Sequence, residues 1–175
     1  MNYRIALIGG DRRSVSLASM LASDGCKVNV FGISNENILN NGSICFCKNI
    51  TETLENSNIV VGPIPFSSND EDKLNTPLFD DAIHTDVLYD NSNMIKVLIA
   101  GKIPDAVKNS LSEKGVSVVD ILEREDFAVL NSLPTAEGTV QIAMEELPAT
   151  IWNMKVLVLG AGRVGRTLAL LMDSM

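Results

Sequence analysis

Histidine and cysteine are both scarce in this sequence. The 175 residues contain one histidine, His84, and three cysteines, Cys26, Cys45 and Cys47. These are too few good ligands for a zinc site, and we predict that the protein binds no metal. None of the cysteines forms a Cys-x-x-Cys pair, so we expect three reduced, structural thiols rather than a redox or zinc motif.

Positive charge is also in short supply. The chain has 14 lysines and arginines against 22 aspartates and glutamates, a net charge of −8. This acidity argues against a nucleic-acid or anionic membrane partner. No apolar run approaches the length of a membrane span, and no positively charged leader precedes the first one, so we expect a cytoplasmic protein. An acidic protein can still bind an anionic metabolite if it concentrates its few cations locally.

Apolar runs alternate with amphipathic stretches along the chain. An apolar run at 3–8, a helical stripe over 14–23 and a second apolar run at 25–31 predict a strand–helix–strand unit with parallel strands. Further strands are predicted at 43–46, 58–61, 94–100 and 116–120, and helices at 51–56 and 104–114. This alternation predicts an α/β fold, a flavodoxin- or Rossmann-like doubly wound parallel sheet.

The pattern changes after the last of these strands. One helix is predicted over 123–132 and a second over 135–146, with Pro134 separating the two. A new strand is predicted at 155–159. We therefore predict three segments: a first domain over 1–132, an interdomain helix and linker over 133–151, and the start of a truncated second domain over 152–175.

A glycine motif follows the strand predicted at 155–159 and opens a helix. It consists of Gly160, Ala161, Gly162, Arg163, Val164 and Gly165. In a dinucleotide-binding turn the three glycines allow the tight turn, the approach of a pyrophosphate and close packing of helix on strand. The alternative is a purely structural glycine-rich turn.

Only ten residues follow Gly165. The residue that reads the ribose lies about 20 positions beyond such a motif. The chain therefore does not distinguish NAD from NADP, and we expect it to bind a dinucleotide weakly or not at all by itself. We interpret it as a truncated form of a longer enzyme.

The turn after the first strand, Gly9-Gly-Asp-Arg-Arg-Ser14, departs from this motif. Asp11 and Ser14 stand where the second and third glycines would fall, which argues against a dinucleotide here. Arg12 and Arg13 at a helix N-terminus instead suit a carboxylate ligand. The alternative is that one or both arginines are solvated or ion-paired.

Three stretches carry a family resemblance: "IGGDRR" (8–13), "LNSLPTAEGTVQIAMEELP" (130–148) and "KVLVLGAGRVGRTLA" (155–169). In these the chain resembles the family of dipicolinate synthase A subunits. The resemblance implies NADP-dependent oxidation of dihydrodipicolinate, or a related cyclic precursor, to dipicolinate in the mother cell of a sporulating bacterium. It also implies a partner, the flavoprotein-like B subunit of dipicolinate synthase, and a substrate domain over 1–132 that faces a nicotinamide domain across a cleft.

Several residues suit that chemistry. A dianionic substrate needs at least two positions that bind a carboxylate, and we assign these to Arg12, Arg13 and Lys102. The alternative for Lys102 is an ordinary surface lysine. Pro63 and Pro65 are expected to wall the cleft.

Two residues at the predicted start of the interdomain helix are the catalytic candidates. Thr135 is interpreted as an N-cap or a substrate contact. Glu137 is interpreted as the acceptor of a ring proton or as a stabiliser of the helix N-terminus.

Two rival functions remain open. One is a hydroxyacid- or amino-acid-type NAD(P) dehydrogenase, and the other is a non-catalytic, cofactor-sensing assembly protein. Histidine is the side-chain type that most often gains or loses a proton near neutral pH; for the single histidine, His84, a structural role is the commoner one. A homo-oligomer is also left open.

Overall fold

The structure, a computed structural model, describes residues 3–34, 42–68 and 72–175. The chain divides into two compact units, Met1–Ile121 and Leu122–Met175, called here the first and second units. The division lies before residues 122–132, which the sequence pattern places in the first domain. No helix in the described part of the chain is both long and apolar enough to cross a membrane.

The first unit alternates strands and helices. Its strands are β1 (Arg4–Ile8), β2 (Lys27–Phe31), β3 (Ile44–Phe46), β4 (Ile59–Val61), β5 (Val97–Ala100) and β6 (Ser117–Asp120). Its helices are α1 (Arg12–Ser23), α2 (Ile50–Leu54), α3 (Asp86–Asp90) and α4 (Asp105–Glu113). Short 3₁₀ helices cover Ser92–Met94 and Ile121–Glu123, and the second unit contains α5 (Glu125–Glu146) and α6 (Arg163–Asp173).

All six strands run parallel in the order β3-β2-β1-β4-β5-β6. Ala6 of β1 lies between Asn29 of β2 and Val60 of β4. The order reverses between β1 and β4, as in a Rossmann sheet, whereas a flavodoxin sheet has a different order. The predicted doubly wound α/β fold is confirmed.

Alternate residues of the strands supply two cores. On one face Leu7 and Val28 pack with Ala18 of α1. On the other face the core contains Val60 together with Leu111 of α4. The connection from β1 to β2 runs toward one edge of the sheet, whereas the connections that contain α2, α3 and α4 run toward the other edge. Because such connections are right-handed, α1 lies on one face of the sheet and α2–α4 lie on the opposite face.

Helix starts differ from the predicted ones because of side-chain caps. Helix α1 begins at Arg12, ahead of the predicted start at residue 14, since the Asp11 side chain accepts a hydrogen bond from the backbone N–H of Arg13. Helix α2 is capped by Asn49, whose Oδ1 accepts a hydrogen bond of 2.9 Å from the N–H of Glu52. Capping side chains of this type satisfy N–H groups that have no partner within the helix.

The prediction that Pro134 separates two helices is wrong. Helix α5 runs without a break from Glu125 to Glu146 with Pro134 inside it. Hydroxyls on both sides of the proline bond to helix carbonyls, Ser132 Oγ to Val129 O at 2.7 Å and Thr135 Oγ1 to Asn131 O at 2.8 Å. Proline removes one N–H donor from the helix, and the rest of the helical hydrogen bonding persists around it.

Residues 155–159 do not form the predicted strand, because no strand of the described chain pairs with them. A strand needs a neighbour for its hydrogen bonds, and Leu157 and Leu159 are 83% and 88% exposed. Met144 and Leu147, at the end of the preceding helix, are also exposed. Within the second unit α5 contacts α6, with Ser132 Oγ and Thr167 Oγ1 2.9 Å apart.

A crowded glycine with left-handed backbone gives a stability prediction. Gly10 has φ of +101°, and a Cβ there would lie 2.0 Å from Ser14 Oγ and 2.9 Å from its Cβ. We expect Gly10→Ala to lower the free energy of unfolding by about 2–4 kcal/mol, the sum of left-handed strain and overpacking. Urea unfolding followed by far-UV circular dichroism measures this loss.

Gly25→Ala is the matched control. Gly25 has φ of +84°, but no atom of the described residues lies within 4 Å of its added Cβ, so only the backbone cost of about 1 kcal/mol is expected. Equal losses in the two variants would contradict the claim that crowding adds to the strain at Gly10.

Candidate functional site

The carboxyl end of the first unit's sheet collects the substrate residues predicted from the sequence. Arg12 and Arg13 follow β1, the Pro63 and Pro65 loop follows β4, and Lys102 follows β5. Open parallel sheets bind ligands at this end, next to the position where the strand order reverses. That position lies between β1 and β4.

The glycine turn after β1 is closed by another loop. Gly9 N–H donates to Phe31 O at 2.8 Å, and Gly10 N–H donates to Asn75 O at 2.9 Å. A Cβ on Gly9 would lie 2.7 Å from Thr76 Cγ2. The two glycine donors are therefore occupied and the space beside them is filled, which supports the expectation that no dinucleotide binds here.

Asp11 occupies the anion position at the start of α1. Its carboxylate accepts Arg13 N–H at 2.9 Å, Arg13 Nε at 3.1 Å and Arg13 Nη2 at 2.7 Å. The hydrogen bond from the Arg13 side chain holds the pKa of Asp11 below its usual value. Arg13 is thus ion-paired within the chain, which is the alternative that the sequence leaves open for it.

Arg13 also joins two loops, because Nη2 donates to the carbonyl of Ile64. Ile64 lies between Pro63, which is buried, and Pro65, which is exposed. The same loop bonds to the end of β5, with Phe66 N–H donating to Gly101 O at 2.7 Å and Gly101 N–H donating to Pro63 O at 3.3 Å. The structure therefore brings Arg13, the two prolines and the Lys102 loop together.

Lys102 stands in a left-handed backbone conformation with φ of +57°. Its N–H donates to Asp120 Oδ1 at 3.0 Å, and the N–H of Ile103 donates to Oδ2 at 2.7 Å. Asp120 is buried at the end of β6. The sequence analysis does not identify Asp120 as a site residue. The feature that could have indicated it is a carboxylate at the end of an apolar strand.

Of the three cations predicted to bind substrate, Arg12 and Lys102 stay open at this end of the sheet. Both are exposed. Within residues 3–34, 42–68 and 72–175, the guanidinium of Arg12 and the ammonium of Lys102 form no ion pair. An unpaired exposed cation is available to a carboxylate ligand, whereas the side chain of Arg13 is already bound to Asp11.

An apolar cavity of about 470 Å³ lies beside this cation-bearing end and is lined by residues of α1 and by half-buried residues of β4 and β5. Leu17, Val61 and Ile99 are among its lining residues, and Asp11 and Arg13 lie at its polar rim. Removing a carboxylate from water into such a surface is costly. The loops above the cavity are therefore a better position for a carboxylate ligand than its interior.

The glycine motif of the second unit is an open turn, in contrast to the first. Gly160 has φ of +105°. Gly162 is the N-cap of α6, and in the part of the chain that the structure describes no atom lies within 4 Å of a Cβ added there. A Cβ on Gly165 would lie 1.9 Å from Gly160 O. The three glycines thus provide a tight turn, an unobstructed helix N-terminus and a close helix contact, which are the requirements for a pyrophosphate.

The remaining motif residues surround this turn. Ala161 O accepts a hydrogen bond of 2.9 Å from Arg166 Nε, and Val164 is 38% exposed. Arg163 Nη1 bonds to Glu125 Oε2 at 2.8 Å. The Arg163 side chain is therefore bound to α5, which leaves the backbone N–H groups of the turn as the candidate donors to an anion.

Thr135 and Glu137 lie inside α5 rather than at its start, so the predicted capping role of Thr135 and first-turn role of Glu137 are wrong. The helix continues through Pro134, and the Thr135 hydroxyl donates to Asn131 O. Glu137 is exposed on the second unit. The role of Glu137 as a proton acceptor stays a prediction, because that role does not require Glu137 to lie in the first turn of a helix.

The other candidates contribute no site. His84 is exposed and forms an isolated antiparallel bridge with Lys73. All three cysteines are free, with Cys26 buried and Cys45 exposed, and burial raises the pKa of Cys47 to about 11. In the part of the chain that the structure describes, no group of three or more histidine, cysteine or acidic side chains is arranged to hold a metal.

Comparisons with known proteins agree on one family. The model of the family described as the N-terminal domain of the dipicolinate synthase A subunit matches residues 4–122. The A subunit of dipicolinate synthase from Bacillus subtilis (strain 168) is 26% identical over 168 residues, which cover 95% of this chain and 56% of that protein.

Two solved structures have the same fold. The crystal structure of the dipicolinate synthase A subunit from Bacillus halodurans matches with a TM-score of 0.81 at 25% identity, covering 98% of this chain and 58% of that one. The corresponding structure from Bacillus subtilis matches with a TM-score of 0.81 at 23% identity, covering 99% and 58%. This chain therefore spans somewhat more than half the length of these relatives.

The Asp11–Arg13 pair predicts a pH dependence of stability. Because the folded-state pKa of Asp11 lies below 3.8, its contribution is present above that pH and is lost as the pH falls through the folded-state pKa. We expect Asp11→Asn, which keeps a capping acceptor, to lose about 0.5–1 kcal/mol near neutral pH. Urea unfolding from about pH 7 to pH 2.5 should show this loss shrinking in acid.

Asp24→Asn at the other end of α1 is the control. Asp24 is exposed and is the C-cap residue of α1, so its replacement should not reproduce the acid-dependent difference. A loss for Asp11→Asn that stays constant down to about pH 2.5 would rule out the ion pair as its cause.

The glycine motif predicts different effects for two alanine substitutions. Gly165→Ala should destabilise the start of α6 by about 1–3 kcal/mol, because its Cβ would clash with a backbone oxygen. Gly162→Ala should cost less than about 1 kcal/mol, since its φ of −75° suits alanine and its surroundings are open. Amide hydrogen exchange along α6 measures both, and comparable protection in the two variants would refute the packing role of Gly165.

Proposed function

This chain belongs to the family of the N-terminal domain of dipicolinate synthase A subunits, and we propose that it is part of an NADP-dependent oxidoreductase that makes dipicolinate. The substrate is dihydrodipicolinate or a related cyclic precursor. The observation that carries the proposal is the family match over the whole first unit. The exposed cations of Arg12 and Lys102 at the carboxyl end of that unit's sheet and an open glycine turn in the second unit support it.

We assign substrate binding to the carboxyl end of the first unit's sheet. Arg12 and Lys102 hold the two carboxylates by charge-assisted hydrogen bonds, which are stronger than neutral ones. Arg13, held by Asp11, fixes the Pro63–Pro65 loop and offers its remaining guanidinium N–H groups to the ligand. These groups orient the ring and keep it close to the oxidant, which lowers the entropic part of the barrier.

The chemistry removes a hydride and a proton from the dihydropyridine ring, leaving an aromatic pyridine dicarboxylate. NADP, when bound, supplies the hydride acceptor, and the glycine turn from Gly160 to Gly165 would hold its pyrophosphate. Aromatisation provides the driving force. Glu137, or a water molecule, accepts the ring proton as its C–H bond breaks.

The cellular setting belongs to the same proposal. The enzyme works in the cytoplasm of the mother cell of a sporulating bacterium and acts together with the flavoprotein-like B subunit of dipicolinate synthase. Support comes from the relatives, which are named as A subunits of dipicolinate synthase.

The test uses the longer protein of which we propose this chain to be a part, together with its partner protein. It is mixed with NADP and enzymatically generated dihydrodipicolinate, and pyridine dicarboxylate and reduced cofactor are followed together by absorbance. Equal amounts of the two products, formed faster than the spontaneous reaction, are expected. Dipicolinate at only the spontaneous rate, without reduced cofactor, would overturn the proposal in favour of an assembly protein or another substrate.

Arg12→Ala is expected to raise the KM for dihydrodipicolinate by about tenfold or more, because one charge-assisted hydrogen bond is lost. The kcat should fall much less. Arg4→Ala is the matched control, since Arg4 is exposed at the opposite end of β1. A KM for Arg12→Ala equal to that of the control would remove Arg12 from the substrate site.

A further inference from the structure

Asp120 is a buried carboxylate at the carboxyl end of β6. Its side chain is 3% exposed. Both oxygens accept backbone N–H groups of the loop after β5, Oδ1 from Lys102 at 3.0 Å and Oδ2 from Ile103 at 2.7 Å. Lys108 Nζ lies 3.6 Å from Oδ2. A buried carboxylate of this kind is stable only when its charge is matched and its oxygens are hydrogen-bonded.

The loop that Asp120 holds contains a strained residue. Lys102 has φ of +57°, a left-handed conformation that is unfavourable for a residue with a side chain relative to the ordinary helical region. Such conformations persist where surrounding contacts over-determine them. Here Asp120 holds the loop on one side, and Phe66 N–H, bonded to Gly101 O at 2.7 Å, holds it on the other.

The charges at this loop are divided between two lysines. Lys108, in α4, lies beside the Asp120 carboxylate, while Lys102 bonds to that carboxylate through its backbone N–H. The Lys102 ammonium forms no ion pair with the buried acid and stays exposed. One carboxylate thus fixes the backbone of Lys102 and leaves the cation of that residue available.

We propose that Asp120 is a positioning residue, which holds Lys102 in its left-handed conformation so that the ammonium meets a carboxylate of the substrate. The inference rests on the proposed function, because Lys102 is the residue through which Asp120 acts. Asp120 itself does not touch the substrate.

The test is a double-mutant cycle in the longer enzyme with its partner protein, NADP and enzymatically generated dihydrodipicolinate. The variants are Asp120→Asn, Lys102→Ala and the double variant. Each single change should raise KM by about tenfold with a smaller fall in kcat, because a charge-assisted contact is lost. The double variant should be no worse than Lys102→Ala, since Asp120 then has nothing left to position.

Two further variants separate positioning from general stability. Asp105 also lies 3.6 Å from Lys108 Nζ but is 93% exposed, so Asp105→Asn should leave KM unchanged. Lys102→Arg keeps a cation on the same backbone and should retain most of the affinity. If Asp120→Asn does not fold, Asp120→Glu keeps the charge beside Lys108 while displacing the oxygens from the loop, and the same rise in KM is expected.

The outcomes distinguish the two proposals. A parent enzyme that forms no dipicolinate would overturn the proposed function and this inference with it. An active parent in which the Asp120 and Lys102 effects on KM multiply would overturn the inference alone. An Asp120 variant that folds and leaves KM unchanged would have the same meaning.

Discussion

The loops at the carboxyl end of the parallel sheet are bonded to one another. Gly10 bonds to Asn75, Asn75 bonds to Phe66, and Phe66 bonds to Gly101. Parallel strands leave their terminal N–H and C=O groups without ladder partners, and buried backbone groups need partners. The remaining features of the candidate substrate site depend on this chain of hydrogen bonds, since it sets the positions of the loops that carry the cations.

The same type of glycine turn occurs twice in the chain with opposite outcomes. After β1, the donors of Gly9 and Gly10 are satisfied by neighbouring loops, and Asp11 places its own carboxylate at the helix N-terminus. In the second unit, the space around Gly162 is open. A helix N-terminus attracts an anion in either case, but in the first turn that anion is part of the protein.

Acidic partners decide which cations remain for a ligand. Arg13 is bound by Asp11, Arg163 is bound by Glu125, and Lys108 lies beside Asp120. Arg12 and Lys102 have no such partner among the described residues. In a chain with net charge −8, a cation has many acidic groups with which it could pair. Cations that stay unpaired at the sheet edge where parallel folds bind ligands are therefore the candidates for binding an anion.

The sequence by itself determined the α/β class, the approximate strand segments of the first unit and the glycine motif, because apolar periodicity and turn chemistry are local properties. It also predicted which loops meet, since parallel strands end on the same side of a sheet. Only the tertiary structure decided that Arg13 is paired and that Asn75 closes the first turn. It also decided that α5 continues through Pro134 and that Asp120 holds the Lys102 loop. Two of these outcomes depend on partners far apart in the chain, Asn75 with Gly10 and Asp120 with Lys102, and no local pattern records such contacts. Asp11 and Arg13 are close in sequence, but the sequence leaves open whether Arg13 is paired or solvated. Pro134 is a different case, because the helical hydrogen bonds around it outweigh the one that proline removes.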